Sequence, residues 1–200
     1  MANSEPRIEA VVFDMDGTLT KPFLDFDAIR ADIGLPPRSP ILEAMEHMNA
    51  VDRARADAVL LRHERAAAQV SELNDGALEV LAHVRAASLP VGLLTRNCHE
   101  CVVLTCERHG LRFDAVVARE HAPVKPAPDG VHLLARSFGV DPSRLLVVGD
   151  YVFDIRAGRG AGAITALLTL GKDWPFANEA DHVIHSLFEA IPLIDSLRRP

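Results

Sequence analysis

Short apolar runs that alternate with helical stretches constrain this chain more than any other feature. Ala10–Phe13, Val91–Leu94, Ala115–Val117, Leu145–Val148, Ile164–Leu168 and His182–Ile184 read as strands. Helical patterns lie near Gly76–Ala87, His99–His109, Val131–Phe138, Val152–Arg159 and Leu187–Leu197. The apolar runs are near-continuous, as in "LLVVG", so both faces of those strands must be covered. Neighbouring strands joined through a helix run parallel. The pattern therefore predicts an α/β chain with a mostly parallel sheet between helices.

One region breaks the alternation. Residues 21–75 carry no strand signal, and "ILEAMEHMNAVDRARADAVLLRHERAAAQVSEL" is rich in Ala, Leu, Arg and Glu, all good helix formers. The stretch predicts a helical subdomain inserted after the first strand, with residues 1–20 and 76–200 as the core. At 200 residues and 48% apolar content, one core with an insertion is expected. The formal charge of −7 argues against a nucleic-acid partner, because phosphate backbones require a basic surface. A small phosphorylated substrate needs only a local positive site. No signal-peptide pattern and no run of membrane-spanning length occurs, so no membrane partner and a cytoplasmic location are expected, with the chain acting as a monomer or homodimer.

In open parallel sheets, sites form beyond the carboxyl ends of the strands. That rule gathers Asp14 and Asp16 after the first strand, Thr95 after the second, Lys125 one loop after the third, and Asp150 and Asp154 after the fourth. Asp14 and Asp16 stand one residue apart in "VVFDMDGTLT", and nearby carboxylates resist joint ionisation unless a cation or a proton intervenes. A hard divalent ion, Mg²⁺, taking oxygens from Asp14 and Asp150 relieves the repulsion. Asp16 is then free to hold a proton as general acid, while Lys125 and Thr95 offer charge and a hydroxyl to a dianion. These are the parts of phosphoryl transfer through an aspartyl-phosphate.

"DMDGTLT", "LLTRN", "VKPAPD" and "VVGDYVFDI" resemble, in order, the four motifs of the haloacid dehalogenase (HAD) superfamily. The resemblance spans Asp14 to Asp154 and implies a Rossmann-like three-layer α/β/α core with a small α-helical cap of the C1 type (subfamily I). It also implies Asp14 as nucleophile and Asp16 as the acid/base that protonates the leaving oxygen and then activates water. Thr95 and Lys125 would bind the phosphoryl group, alongside Asp14, Arg96 and Asn97. Asp14, the Asp16 carbonyl and Asp150 would hold Mg²⁺, with Asp154 supporting that site.

Within the family, Asp16 argues against dehalogenation, where no leaving oxygen needs a proton. The absence of lysine between Phe23 and Gly76 argues against a phosphonatase, which needs a cap lysine for its Schiff base. The expected activity is phosphoglycolate-phosphatase-like hydrolysis of a small phosphomonoester, with a sugar phosphomutase or a non-catalytic HAD-like binding protein as alternatives. Arg30, Arg38, His47, Arg62 and Arg65 are cap residues that could meet a leaving group, each more simply read as a solvated helix face. Cys98 and Cys101, in "CHEC", read as buried thiols, since no second pair accompanies them. "GRGAGA" follows a helix and precedes a strand, the wrong context for a dinucleotide loop. Met45, His47 and Met48 read as cap core, and Trp174 and Phe176 as packing over the rim of the site.

Overall fold

The computed structural model describes residues 8–198. Six strands, β1 (Ala10–Phe13), β2 (Val91–Leu94), β3 (Ala115–Val117), β4 (Leu145–Gly149), β5 (Ile164–Leu168) and β6 (His182–Ile184), form one sheet in the order β3-β2-β1-β4-β5-β6. All five pairings are parallel, with Phe13 beside Leu93 on one side and Val148 on the other. The chain winds outward from β1 to β3, then returns across the sheet to β4. Ligands of such sheets bind where the winding reverses, here between β1 and β4.

Side chains of β1 alternate between two cores, as strand geometry requires. Val11 and Phe13 join α4 (Ala77–Ala86), α5 (His99–His109) and α8 (Leu187–Arg198) on one face. Ala10 and Val12 join α6 (Asp129–Phe138) and α7 (Val152–Ala161) on the other. Helix, sheet and helix form three layers, the Rossmann-like arrangement. "GRGAGA" forms the end of α7 and the turn into β5.

The stretch between β1 and α4 holds α1 (Phe26–Ile33), α2 (Ile41–Glu46) and α3 (Ala50–Val70). Ile29, Ile41, Met45, Ala56 and Leu60 give these helices a small apolar core of their own, with Met48 against it. Asp25 caps α1 and Asn49 caps α3, each side chain accepting from two backbone amides of the first turn. The two connections to the sheet run side by side: Lys21 N–H donates to Glu72 O at 2.9 Å and Asn74 N–H to Leu19 O at 2.9 Å. Among the described residues no helix is long and apolar enough to cross a membrane.

Candidate active site

Asp14 leaves β1 with its N–H still donating to Val148 O of β4 at 3.0 Å, so the first carboxylate stays in register with the strand that delivers Asp150. The chain then folds tightly: Thr18 and Thr20 amides both reach Met15 O, and the Gly17 amide reaches Thr20 O. Gly17 sits at φ +90°, and a Cβ there would lie 2.4 Å from Asp150 Oδ2. Glycine is required twice over, for the left-handed backbone and for room beside the carboxylate.

The oxygens of Asp14, Asp150 and Asp154 converge within 4.8 Å of one another. Lys125 enters the same space, 3% exposed, and donates to Asp14 Oδ1 at 2.5 Å, Asp154 Oδ1 at 2.5 Å and Leu94 O at 2.8 Å. An ammonium has three protons, and all three are engaged. Asp154 is held a second time, its Oδ2 accepting from the Tyr151 amide at the start of α7. Burial works to lower Lys125, but the charges of Asp14 and Asp154 outweigh it and push the ammonium above its ordinary value.

Burial raises the Asp14 carboxyl well above the ordinary range, helped by Asp154, Asp150 and Asp16 and opposed by Lys125. Burial, with Asp154 beside it, brings Asp150 up to about 7. More negative charge is gathered here than one lysine neutralises, which is the condition that a divalent cation satisfies. Asp16 stands apart from the trio, its Oδ2 accepting from Asn97 Nδ2 at 3.2 Å. Burial raises its carboxyl too, against that hydrogen bond and Lys125.

Thr95 is buried at the end of β2, and its Oγ1 accepts from the Asn97 amide at 3.0 Å. Asp14, Asp16, Thr95, Asn97, Lys125 and Asp150 line one cavity of about 500 Å³, as do Arg96 and Asp154. The structure thus brings every residue singled out from the motifs to one place. Arg96 has a further engagement there: its guanidinium pairs with both oxygens of Glu43 on α2 at 2.8 and 3.0 Å, donates to Lys125 O and stacks 4.5 Å over Phe153. It ties the insertion to the sheet edge.

Of the insertion's candidates, Arg30 and Arg38 line the cavity, whereas His47, Arg62 and Arg65 do not. Arg62 pairs with Asp32, Arg65 with Glu100, and His47 ends α2. Trp174 lines the cavity and stacks on Phe176, whose ring packs edge-on to Tyr151.

Two contributors carried no sequence signal. Glu43 is one. Asn74 is the other: its side-chain amide donates to the carbonyls of Gly17, Thr18 and Thr20 at 3.2, 2.8 and 3.1 Å, clamping the loop that positions Asp16. In "LNDG" it looks like an ordinary helix approach, because its partners lie more than fifty residues away. Asn74→Ala removes the donor from three buried carbonyls and is expected to cost about 1–3 kcal/mol. A urea titration measures that loss, with a fall in kcat accompanying it.

A family model for haloacid dehalogenase-like hydrolases matches residues 8–162. An N-acetylmuramic acid 6-phosphate phosphatase of Pseudomonas aeruginosa is 32% identical over 94% of this chain and 96% of its own. A phosphoglycolate phosphatase of Chromobacterium violaceum is 28% identical over 94% and 97%. In three dimensions, a hydrolase from Pseudomonas syringae superposes with a TM-score of 0.80 at 20% identity, covering 96% of this chain and 100% of that one. With its ordered motifs converging at the switch point of a parallel sheet, the chain belongs to the haloacid dehalogenase-like hydrolases.

Proposed function

We propose that the protein is a Mg²⁺-dependent phosphatase that hydrolyses a small phosphomonoester through an aspartyl-phosphate on Asp14. The observation that carries this reading is the convergence of the Asp14, Asp150 and Asp154 oxygens within 4.8 Å of one another, with the buried Lys125 bonded to Asp14 and Asp154, all lining one cavity. Relatives of similar length are named for sugar-phosphate and glycolate-phosphate hydrolysis, and a cavity of about 500 Å³ is of the size that small ligands occupy.

Asp14, Asp150 and the Asp16 carbonyl would hold Mg²⁺, with Asp154 fixed beside them by Lys125 and the α7 amide. An all-oxygen donor set suits that ion. When bound, it supplies charge neutralisation to the phosphoryl oxygens. The chain's own residues do the rest. Lys125 grips Asp14 Oδ1 and so fixes the rotation of the nucleophilic carboxylate. Thr95 and Asn97 orient the phosphoryl group, and Arg96 keeps the insertion against the site. Asp16, kept able to hold a proton by burial, delivers it to the leaving oxygen and then takes one from the water that opens the aspartyl-phosphate. Helices α1–α3 act as a cap that limits access of water during the first step.

Release of inorganic phosphate from a panel of phosphorylated metabolites, run with Mg²⁺ and with EDTA, tests the reading. Hydrolysis is expected with Mg²⁺ and is expected to vanish with chelator. Phosphate moved between sugar positions without release, or no turnover of any substrate, would overturn it.

A further inference from the structure

The cysteine pair behind the second motif takes no part in that reaction, yet it is built into the seam between insertion and core. Cys98 is the N-cap of α5 and Cys101 its third residue. Both are buried, and Cys98 Sγ accepts from the Cys101 amide at 3.4 Å. Glu64, from the middle of α3, meets them there with 3% exposure. One oxygen of Glu64 and the two sulfurs all lie within 4.8 Å of one another. Arg119 binds Glu64 Oε1, while Oε2 is buried with no nitrogen or oxygen donor on it, and the carboxyl interacts with the Cys98 thiol.

We propose that Glu64, Cys98 and Cys101 form a zinc site that joins α3 to α5. Two thiolates spaced C-x-x-C at a helix start, with a carboxylate from a second element, are a donor set that zinc accepts, with water completing the tetrahedron. The charges balance locally: two thiolates and a carboxylate exceed a dication by one negative charge, and Arg119 offsets it. By holding Oε1, Arg119 also orients the carboxylate and leaves Oε2 for the metal, the usual part of an outer partner. The sulfur donors separate this site from the Asp14–Asp150 cluster, whose oxygens suit a harder ion.

The three acidic groups face one another in a buried space. Burial pushes the Glu64 carboxyl up to about 8 in spite of Arg119. Hydrogen bonding from Cys101 brings the Cys98 thiol down to about 6 against the effect of burial, and the Cys101 thiol is driven well up by Cys98. The third donor is invisible in sequence, since it lies 34 residues before Cys98 on a different element.

Metal analysis and cobalt substitution of the purified, reduced full-length protein test the site. Wild type is expected to retain a single zinc after dialysis, and Co²⁺ in its place is expected to give sulfur-to-metal charge-transfer absorption in the near ultraviolet. Cys98→Ser and Cys101→Ser should each weaken that absorption and release the zinc, whereas Asp150→Asn, altered in the oxygen cluster, should keep both. Arg119→Gln is expected to cost roughly 10–100-fold in zinc affinity. A reduced wild type with no sulfur-to-cobalt absorption, or equal zinc retention in wild type and in a folded Cys98→Ser variant, overturns the proposal. These readouts do not involve phosphate release, so their failure is distinct from a failure of the phosphatase reading.

Discussion

Asp14→Asn is expected to reduce phosphate release by on the order of 10⁴-fold or more, the scale seen when a covalent nucleophile is removed. On the proposed mechanism the amide has no anionic oxygen with which to attack phosphorus, so the aspartyl-phosphate would not form. The fold should survive, because the amide oxygen still accepts from Lys125 Nζ in the place of Oδ1. Stability should in fact rise. Burial and three neighbouring carboxylates already hold the Asp14 carboxyl well above its ordinary value, so the folded protein resists the charge that the substitution removes. In metal-free buffer at neutral pH, the variant should melt at or above the wild-type temperature. A dead enzyme with a clearly lower melting temperature would mean that Asp14 serves packing rather than chemistry.

Lys125→Met should be the most damaging change to the metal-free fold. The ammonium is wholly enclosed and answers Asp14, Asp154 and the Leu94 carbonyl at once. Removing it leaves buried carboxylates without their counter-charge, a change that costs about 3–5 kcal/mol in buried pairs. The pH dependence has a definite sign. Asp14 already titrates above the unfolded value of ~3.9, and losing Lys125 raises it further. A group raised on folding supports stability below its unfolded pKa and withdraws it as pH rises. The gap between wild type and variant is therefore expected to be small near about pH 4 and to widen toward neutrality. Urea unfolding in EDTA at several pH values measures it, and a gap independent of pH would point to lost packing instead. Activity should fall by on the order of 10²-fold or more even with Mg²⁺ present, because the carboxylate is no longer held in one orientation.

The elements that organise this molecule are legible in its sequence. All six strands lie where the sequence places them; the central β1, β2 and β4, buried along their whole length, write themselves as uninterrupted apolar runs, whereas the edge strands β3 and β6 are only partly buried and shorter. Helix ends were less sharp: α6 begins at Asp129 rather than Val131, because Pro128 and Asp129 start a first turn that no apolar spacing marks. The convergence of Asp14, Asp16, Thr95, Lys125 and Asp150 followed from strand ends sharing one edge of a parallel sheet. Contacts between the insertion and the core did not follow from anything local. Glu43 and Arg96 lie 53 residues apart, and Glu64 reaches the cysteines only because α3 packs along α5.

The sequence alone determined the sheet, its helical layers, the inserted helices and the order in which carboxylates, hydroxyl and ammonium arrive at one edge. These depend on periodicity and on residue types at strand ends, both local properties. Tertiary structure decided which charges meet: that Lys125 spends all three protons on Asp14, Asp154 and Leu94 O, that Arg96 grips Glu43, and that Asn74 clamps the Asp16 loop. Partner choice depends on the packing of elements distant in sequence, and side-chain reach is set only when those elements are docked.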